Sequence, residues 1–148
     1  MADGIVISGT SGFGDGIDAL IARVEAATRE AALKSGHLIE GNAKKNFEGN
    51  HVKGEPHVGG NKPNTVSGTL KRSIVTLGFP TGPGSWEVRV APTTVYGRRI
   101  ELGFSGADSL GRVYDQPPFP YFTPGYESAL PIIPRIFEDA WGKAMGGV

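Results

Sequence analysis

The chain contains no cysteine. Disulfides, thiolate nucleophiles and cysteine-based zinc sites are therefore excluded, and the composition fits a reducing cytosol. Net charge is absent too: 15 Lys and Arg stand against 15 Asp and Glu. That balance argues against a protein that grips phosphates by bulk charge. A protein that merely surrounds nucleic acid in a channel needs no such excess. Little repulsion between copies also suits a subunit built to associate. No apolar run approaches the roughly 20 residues needed to span a bilayer, so no membrane partner is expected. The opening Met-Ala-Asp-Gly-Ile-Val-Ile has no basic segment ahead of an apolar core, and no signal peptide is expected. No internal repeat is visible.

What the chain does have is 23 Gly and 11 Pro in 148 residues, concentrated in the middle and the C-terminal half. Irregular backbone is expected there. The length predicts one domain over residues 1–148, with roughly two thirds of its unfolded surface buried.

Residues 4–10, with Ile5, Val6 and Ile7, read as a short strand, and residues 9–16 as a flexible connector. Asp15 is a candidate cap for the helix that follows. From Ile17 the spacing turns helical. Ile17, Leu20, Ile21, Val24, Ala31 and Ala32 form one stripe, while Arg23, Glu25, Arg29, Glu30 and Lys34 lie mostly off it. The pattern resumes through Leu38, Ile39, Ala43 and Phe47. This predicts one long amphipathic helix, with Gly36 the place for a kink. Such a helix needs a sheet or a neighbouring subunit to pack against.

Residues 48–66 form a polar loop, expected to be flexible or ordered by a partner. Ser67 or Thr69 is a candidate cap for a short helix containing Leu70 and Arg72. Residues 74–79 and the alternating Trp86, Val88 and Val90 predict a β-hairpin around a Pro-Gly turn. Val95, Tyr96, Ile100 and Leu102 fit either a short helix or a strand edge. Residues 104–116 read as a loop with a brief strand at 112–114. Prolines 117, 118 and 120 stiffen the approach to a last helix, whose start Pro131 and Pro134 interrupt or reset. The fold class is α+β, a small antiparallel sheet packed against a long N-terminal and a C-terminal helix.

Little in this order reads as chemistry. His51, Glu55 and His57 share the polar loop, but their spacing matches no common metal site, and exposed loop histidines are the simpler reading. His37 lies by the expected bend. The glycines of 9–16 lack both the Gly-Lys-Ser/Thr ending of a P-loop and a dinucleotide spacing. No serine sits in a Gly-x-Ser-x-Gly elbow. Asp108, Asp115 and Glu127 do not share a helix face. No catalytic residue, cofactor or metal is expected, and the chain is read as a non-enzyme.

The basic pairs Lys71-Arg72 and Arg98-Arg99 suit a solvated face with salt bridges to Glu87 or Glu101. The second reading is contact with a negative surface, whether a neighbouring subunit or passing DNA. Lys44-Lys45 is similarly ambiguous. Phe119, Tyr121, Phe122 and Tyr126 among rigid prolines fit core packing or an interface, and both can hold together. Trp141 is read as core or subunit contact.

Three phrases carry a resemblance. They are Ser67-Gly68-Thr69-Leu70-Lys71-Arg72-Ser73-Ile74, Tyr96-Gly97-Arg98-Arg99-Ile100-Glu101-Leu102-Gly103 and Pro120-Tyr121-Phe122-Thr123-Pro124-Gly125. In this order, after a long helix and a polar loop, they resemble the tail-component, or tail-completion, proteins of long-tailed non-contractile phages. Gly97 and Gly125 stand where that family more often has alanine. The resemblance implies a structural virion protein of the neck or tail end, assembled in the host cytoplasm. It implies a head–tail junction ring around the DNA channel. The implied partners are further copies of itself, with a hexamer favoured, adjacent neck, connector or tail proteins, and transiently passing DNA. Lys71, Arg72, Tyr96, Arg98, Arg99, Glu101, Phe119, Tyr121 and Phe122 are the interface candidates, with parts of loop 48–66. The alternative is a small adaptor or a nucleic-acid- or protein-binding module without catalysis.

Overall fold

The computed structural model describes residues 10–48 and 58–146. The expected strand at 4–10 and the histidine loop around His51 and His57 lie outside the described residues, apart from Thr10. The chain forms helix α1 (Thr10–Lys45), helix α2 (Thr69–Ser73), strands β1 (Ile74–Gly82) and β2 (Ser85–Pro92), and helix α3 (Gly97–Leu102). Strands β3 (Phe104–Ala107) and β4 (Val113–Gln116) and helices α4 (Phe122–Ala129) and α5 (Ile133–Ala144) complete it. The class is α+β, as the patterning indicates.

α1 runs for 36 residues, about 54 Å at the helical rise. It begins earlier than expected. Residues 10–16 are its first turns rather than a connector, and Asp15 lies within the helix rather than capping it. The three glycines there each cost about 1 kcal/mol relative to alanine. Propagation from an established helix is cheap compared with nucleating one.

Two faces of α1 organise the domain. The face through Arg29, Leu33, Gly36 and Glu40 receives the β1–β2 hairpin. These strands pair antiparallel, with Thr76 opposite Val90 and Gly78 opposite Val88. Gly36 is a contact point. A Cβ placed there would lie 2.6 Å from both Thr76 Cγ2 and Val88 Cγ1. The missing side chain lets the helix sit directly on the sheet. Thr76 donates to Glu40 at 2.6 Å, and Lys44 pairs with the same carboxylate. Burial on its own raises the Glu40 pKa, but Lys44 and Thr76 outweigh it and hold the carboxyl below its ordinary value.

The other face of α1, through Thr28, Ala31 and Asn42, receives α4 and α5. Trp141 Nε1 donates to Thr28 Oγ1 at 2.9 Å, and Asn42 Nδ2 donates to Ser128 Oγ at 2.9 Å. Gly125 brings α4 backbone against α1 backbone, since a Cβ there would stand 2.5 Å from the Ala43 nitrogen. Pro131 separates α4 from α5, and Pro134 occupies the first turn of α5, where its missing N–H costs nothing.

Two expectations are corrected in the middle of the chain. Residues 104–116 form a second hairpin rather than a loop with one strand, with Phe104 opposite Gln116 and Ala107 opposite Val113. Its loop is held by Asp108, which accepts from the backbone N–H groups of Leu110 and Arg112 at 2.9 and 3.0 Å. Neither Ser67 nor Thr69 caps α2. The cap position is Gly68, at φ 71°. Of the stretch 94–103, residues 97–102 form helix, and Val95 and Tyr96 lie in the turn that leads into it.

The core is small. Ala43, Phe47, Leu70, Ile74 and Tyr121 are its buried cluster, with Val90, Ile100 and Phe122 packed partly against it. Full burial of a side chain the size of Ile74 contributes roughly 1.5–3 kcal/mol.

Candidate functional site

The second and third resemblance phrases meet at one place. Glu101, at the end of α3, faces the start of α4. Its Oε2 accepts from the backbone N–H groups of Tyr121 and Phe122, both at 2.8 Å, and its Oε1 from that of Thr123 at 2.9 Å. A helix N-terminus leaves such donors without intrahelical partners, and a carboxylate is favoured there by the helix dipole. Burial on its own raises the Glu101 pKa. The hydrogen bonds from Phe122, Thr123 and Tyr121 outweigh it, so the carboxyl sits below its ordinary value.

Tyr121 locks the same junction from inside. It is 1% exposed, its ring lies 4.8 Å from that of Phe47, and its hydroxyl donates to the Gly97 carbonyl at 3.2 Å. Asn46 Nδ2 donates to the Tyr121 carbonyl at 2.8 Å. Burial, then the charge of Glu101, pushes the phenol pKa up to about 12. A Cβ on Gly97 would stand 2.6 Å from Pro92 Cγ and 3.1 Å from the Tyr121 hydroxyl. Glycine at 97 matches that close approach.

The interface candidates therefore separate. Tyr121 is core, and Glu101 is a helix cap rather than a salt-bridge partner for the basic pairs. Glu87, the other expected partner, pairs with Arg89. Phe119 and Phe122 are half-buried, and the Phe119 N–H donates to the Ile100 carbonyl at 2.7 Å. Arg72, Tyr96, Arg98 and Arg99 are exposed, and Lys71 is half-buried. Arg99 stacks over Phe104 with its guanidinium carbon 4.2 Å from the ring centre. The described end of the polar stretch is tied down: Pro63 is buried and Thr65 Oγ1 donates to the Phe47 carbonyl at 3.3 Å.

Asp108, Asp115 and Glu127 sit on the β3–β4 loop, on β4 and on α4. Among the described residues no group of three or more His, Asp or Glu is placed to hold a metal ion, and no helix is long and apolar enough to cross a membrane.

Eight hydrophobic residues are buried, whereas eighteen large ones are exposed. The densest run is at the start of α1, where every described side chain from residue 12 to 22 is exposed, including Phe13, Ile17, Leu20 and Ile21. Phe13 was legible in principle, because it lies four residues before Ile17 on the same stripe. The glycines around it obscured the helix. Leu77, on the face of β1 away from α1, is a second exposed apolar position. No protein-family profile, curated protein or solved structure matches this chain.

Proposed function

We propose that this chain is a non-catalytic structural subunit of a phage neck or tail end. It would form part of the head–tail junction, as a tail-completion protein or neck ring, closing into a homo-oligomeric ring around the DNA channel. The observation that carries the reading is the run of exposed apolar side chains at the start of α1, Phe13, Ile17, Leu20 and Ile21. Exposed apolar patches of this kind mark association surfaces. The three-phrase resemblance supplies the setting.

A closed ring needs a heterologous interface, with one patch on each side of the subunit. Two elements with exposed apolar side chains are available for it, the start of α1 and the β3–β4 hairpin with Leu110 and Val113. The zero net charge suits a channel through which DNA must slide without being held. Adjacent neck, connector or tail proteins would stack on the ring faces.

The test is absolute mass by light scattering across a concentration series, followed by imaging. A discrete closed oligomer, a hexamer or a multiple of one, with a central opening that passes duplex DNA, is the expected result. A stable monomer that instead binds short duplex DNA with steep salt dependence would replace this reading with that of an adaptor.

A further inference from the structure

The outer edges of the β1–β2 hairpin carry no partner strand. Their hydrogen-bonding groups can be read from the register. The Thr93 N–H donates to the Ser73 carbonyl at 2.9 Å, one step beyond the Ile74–Pro92 pair. In an antiparallel ladder, pairs that exchange hydrogen bonds alternate with pairs that do not. The exchanging pairs are therefore Val75–Ala91, Leu77–Arg89 and Phe79–Glu87. Thr76 and Gly78 on β1, and Trp86, Val88 and Val90 on β2, turn their main-chain groups outward. Pro80 and Pro92 both fall at outward positions, where no ladder bond is lost.

Among the described residues β1 and β2 pair only with each other, and no other backbone group bonds to these outward N–H groups. The two edges differ. Pro80 interrupts that of β1. The edge of β2 presents three N–H and three C=O groups without a break from Trp86 to Val90, over about 14 Å. The two charges on this strand, Glu87 and Arg89, pair with each other. An open edge of this kind is a template for another strand.

A strand of matching length stands elsewhere on the chain. β3 and β4 also pair only with each other. Two strands of four residues are marginal in water without a third. The Asp108 N–H donates to the Arg112 carbonyl at 2.9 Å, and the same alternation turns Ser105 and Ala107 outward on β3, and Val113 and Asp115 on β4. Val113, 81% exposed, is the large apolar residue among these four, so β4 is the edge with more to bury. β4 and β2 lie in separate sheets of the folded chain, so the strand that meets β2 comes from another copy.

We infer that β2 of one copy takes β4 of the next as an antiparallel third strand, joining the two hairpins into one four-stranded sheet. The occupant is a second copy of this chain. Donor strand and acceptor edge are different surfaces of one subunit, which makes the contact heterologous. It rests on the ring reading for its biological setting.

The absence of cysteine gives a direct test on the full chain. Tyr114→Cys is made in one preparation, and Glu87→Cys or Arg89→Cys in another. These positions exchange no bonds in the new strand pair, and there opposing side chains come closest. All three are exposed or half-buried. When a one-to-one mixture is oxidised, disulfide-linked heterodimers are expected to exceed either homodimer several-fold with one of the two β2 cysteines, because the bond forms only between Cα atoms within about 7 Å. Val113→Pro removes an outward N–H and leaves the β3–β4 ladder bonds intact, since Ala107–Val113 is a non-exchanging pair. It is expected to weaken association about tenfold, with circular dichroism like that of the wild type.

Heterodimers no more frequent than homodimers with either β2 cysteine would overturn the inference, as would undiminished association of Val113→Pro. So would a wild-type chain monomeric up to on the order of 1 mM. If Val113→Pro disturbs the fold, the cysteine pairs decide alone. Ring closure is read separately. Wild-type rings whose cysteine variants give no excess of heterodimer sink this contact and leave the ring standing. Cross-linked open chains or dimers keep the contact and sink the ring.

Discussion

Replacing Glu101 by alanine tests whether this carboxylate ties α3 to α4. The wild-type side chain takes three backbone N–H donors at the start of α4, all within 2.9 Å. A hydrogen bond to a charged group contributes about 1.5–3 kcal/mol. Water can reach part of this site in the variant, so about 1 kcal/mol per donor is the better figure, or about 3 kcal/mol for Glu101→Ala. For a chain of this length that lowers the thermal midpoint by about 6–12 °C. Glu101→Gln keeps one acceptor oxygen and should lose roughly half as much.

The pH dependence adds a second readout. The folded-state pKa of Glu101 is depressed below its ordinary 4.5. Its contribution is therefore complete above that value and is lost as pH falls through the folded pKa. The gap between wild type and Glu101→Ala, measured by thermal melts followed by circular dichroism, should be full at pH 7 and shrink below about pH 4. Equal midpoints at pH 7, or a gap unchanged in strong acid, would refute the reasoning.

Two further outcomes follow from the packing. Gly125→Ala places a methyl 2.5 Å from backbone nitrogen of α1; because backbone cannot swing aside, the cost should be about 1–3 kcal/mol in urea unfolding. Gly36→Ala should cost less, since the atoms met there are side-chain methyls of Thr76 and Val88, and a loss equal to that of Gly125→Ala would contradict this ordering. Of the four tyrosines, Tyr121 should ionise last, near its pKa of about 12, in an ultraviolet titration. Tyr121→Phe should remove that late phase and cost about 1 kcal/mol by leaving the Gly97 carbonyl without its donor.

Much of the scaffold is legible in the chain because local periodicity encodes it. The stripe from Ile17 to Phe47 requires an amphipathic helix, and the alternation at Trp86, Val88 and Val90 requires a strand buried on one face. The second hairpin was not legible. Phe104–Ala107 contains Gly106 and only two apolar side chains, and its partner Val113–Gln116 runs Val-Tyr-Asp-Gln, so neither alternates visibly. The role of Glu101 was hidden for a different reason. Its partners lie about twenty residues away and are backbone groups, which carry no signature in side-chain spacing.

The sequence by itself determined the helical period of α1, the β1–β2 hairpin, the α+β class and the absence of any charge excess. These depend on each residue and its near neighbours. Only the tertiary structure decided that Gly36 and Gly125 are points of close approach, that Tyr121 is core, and that the side chains of residues 12–22 are exposed. A stripe of apolar residues looks the same whether it is covered or not. Coverage depends on where α5 ends, and that is set by the turn at Pro131 and the packing of Trp141 on Thr28.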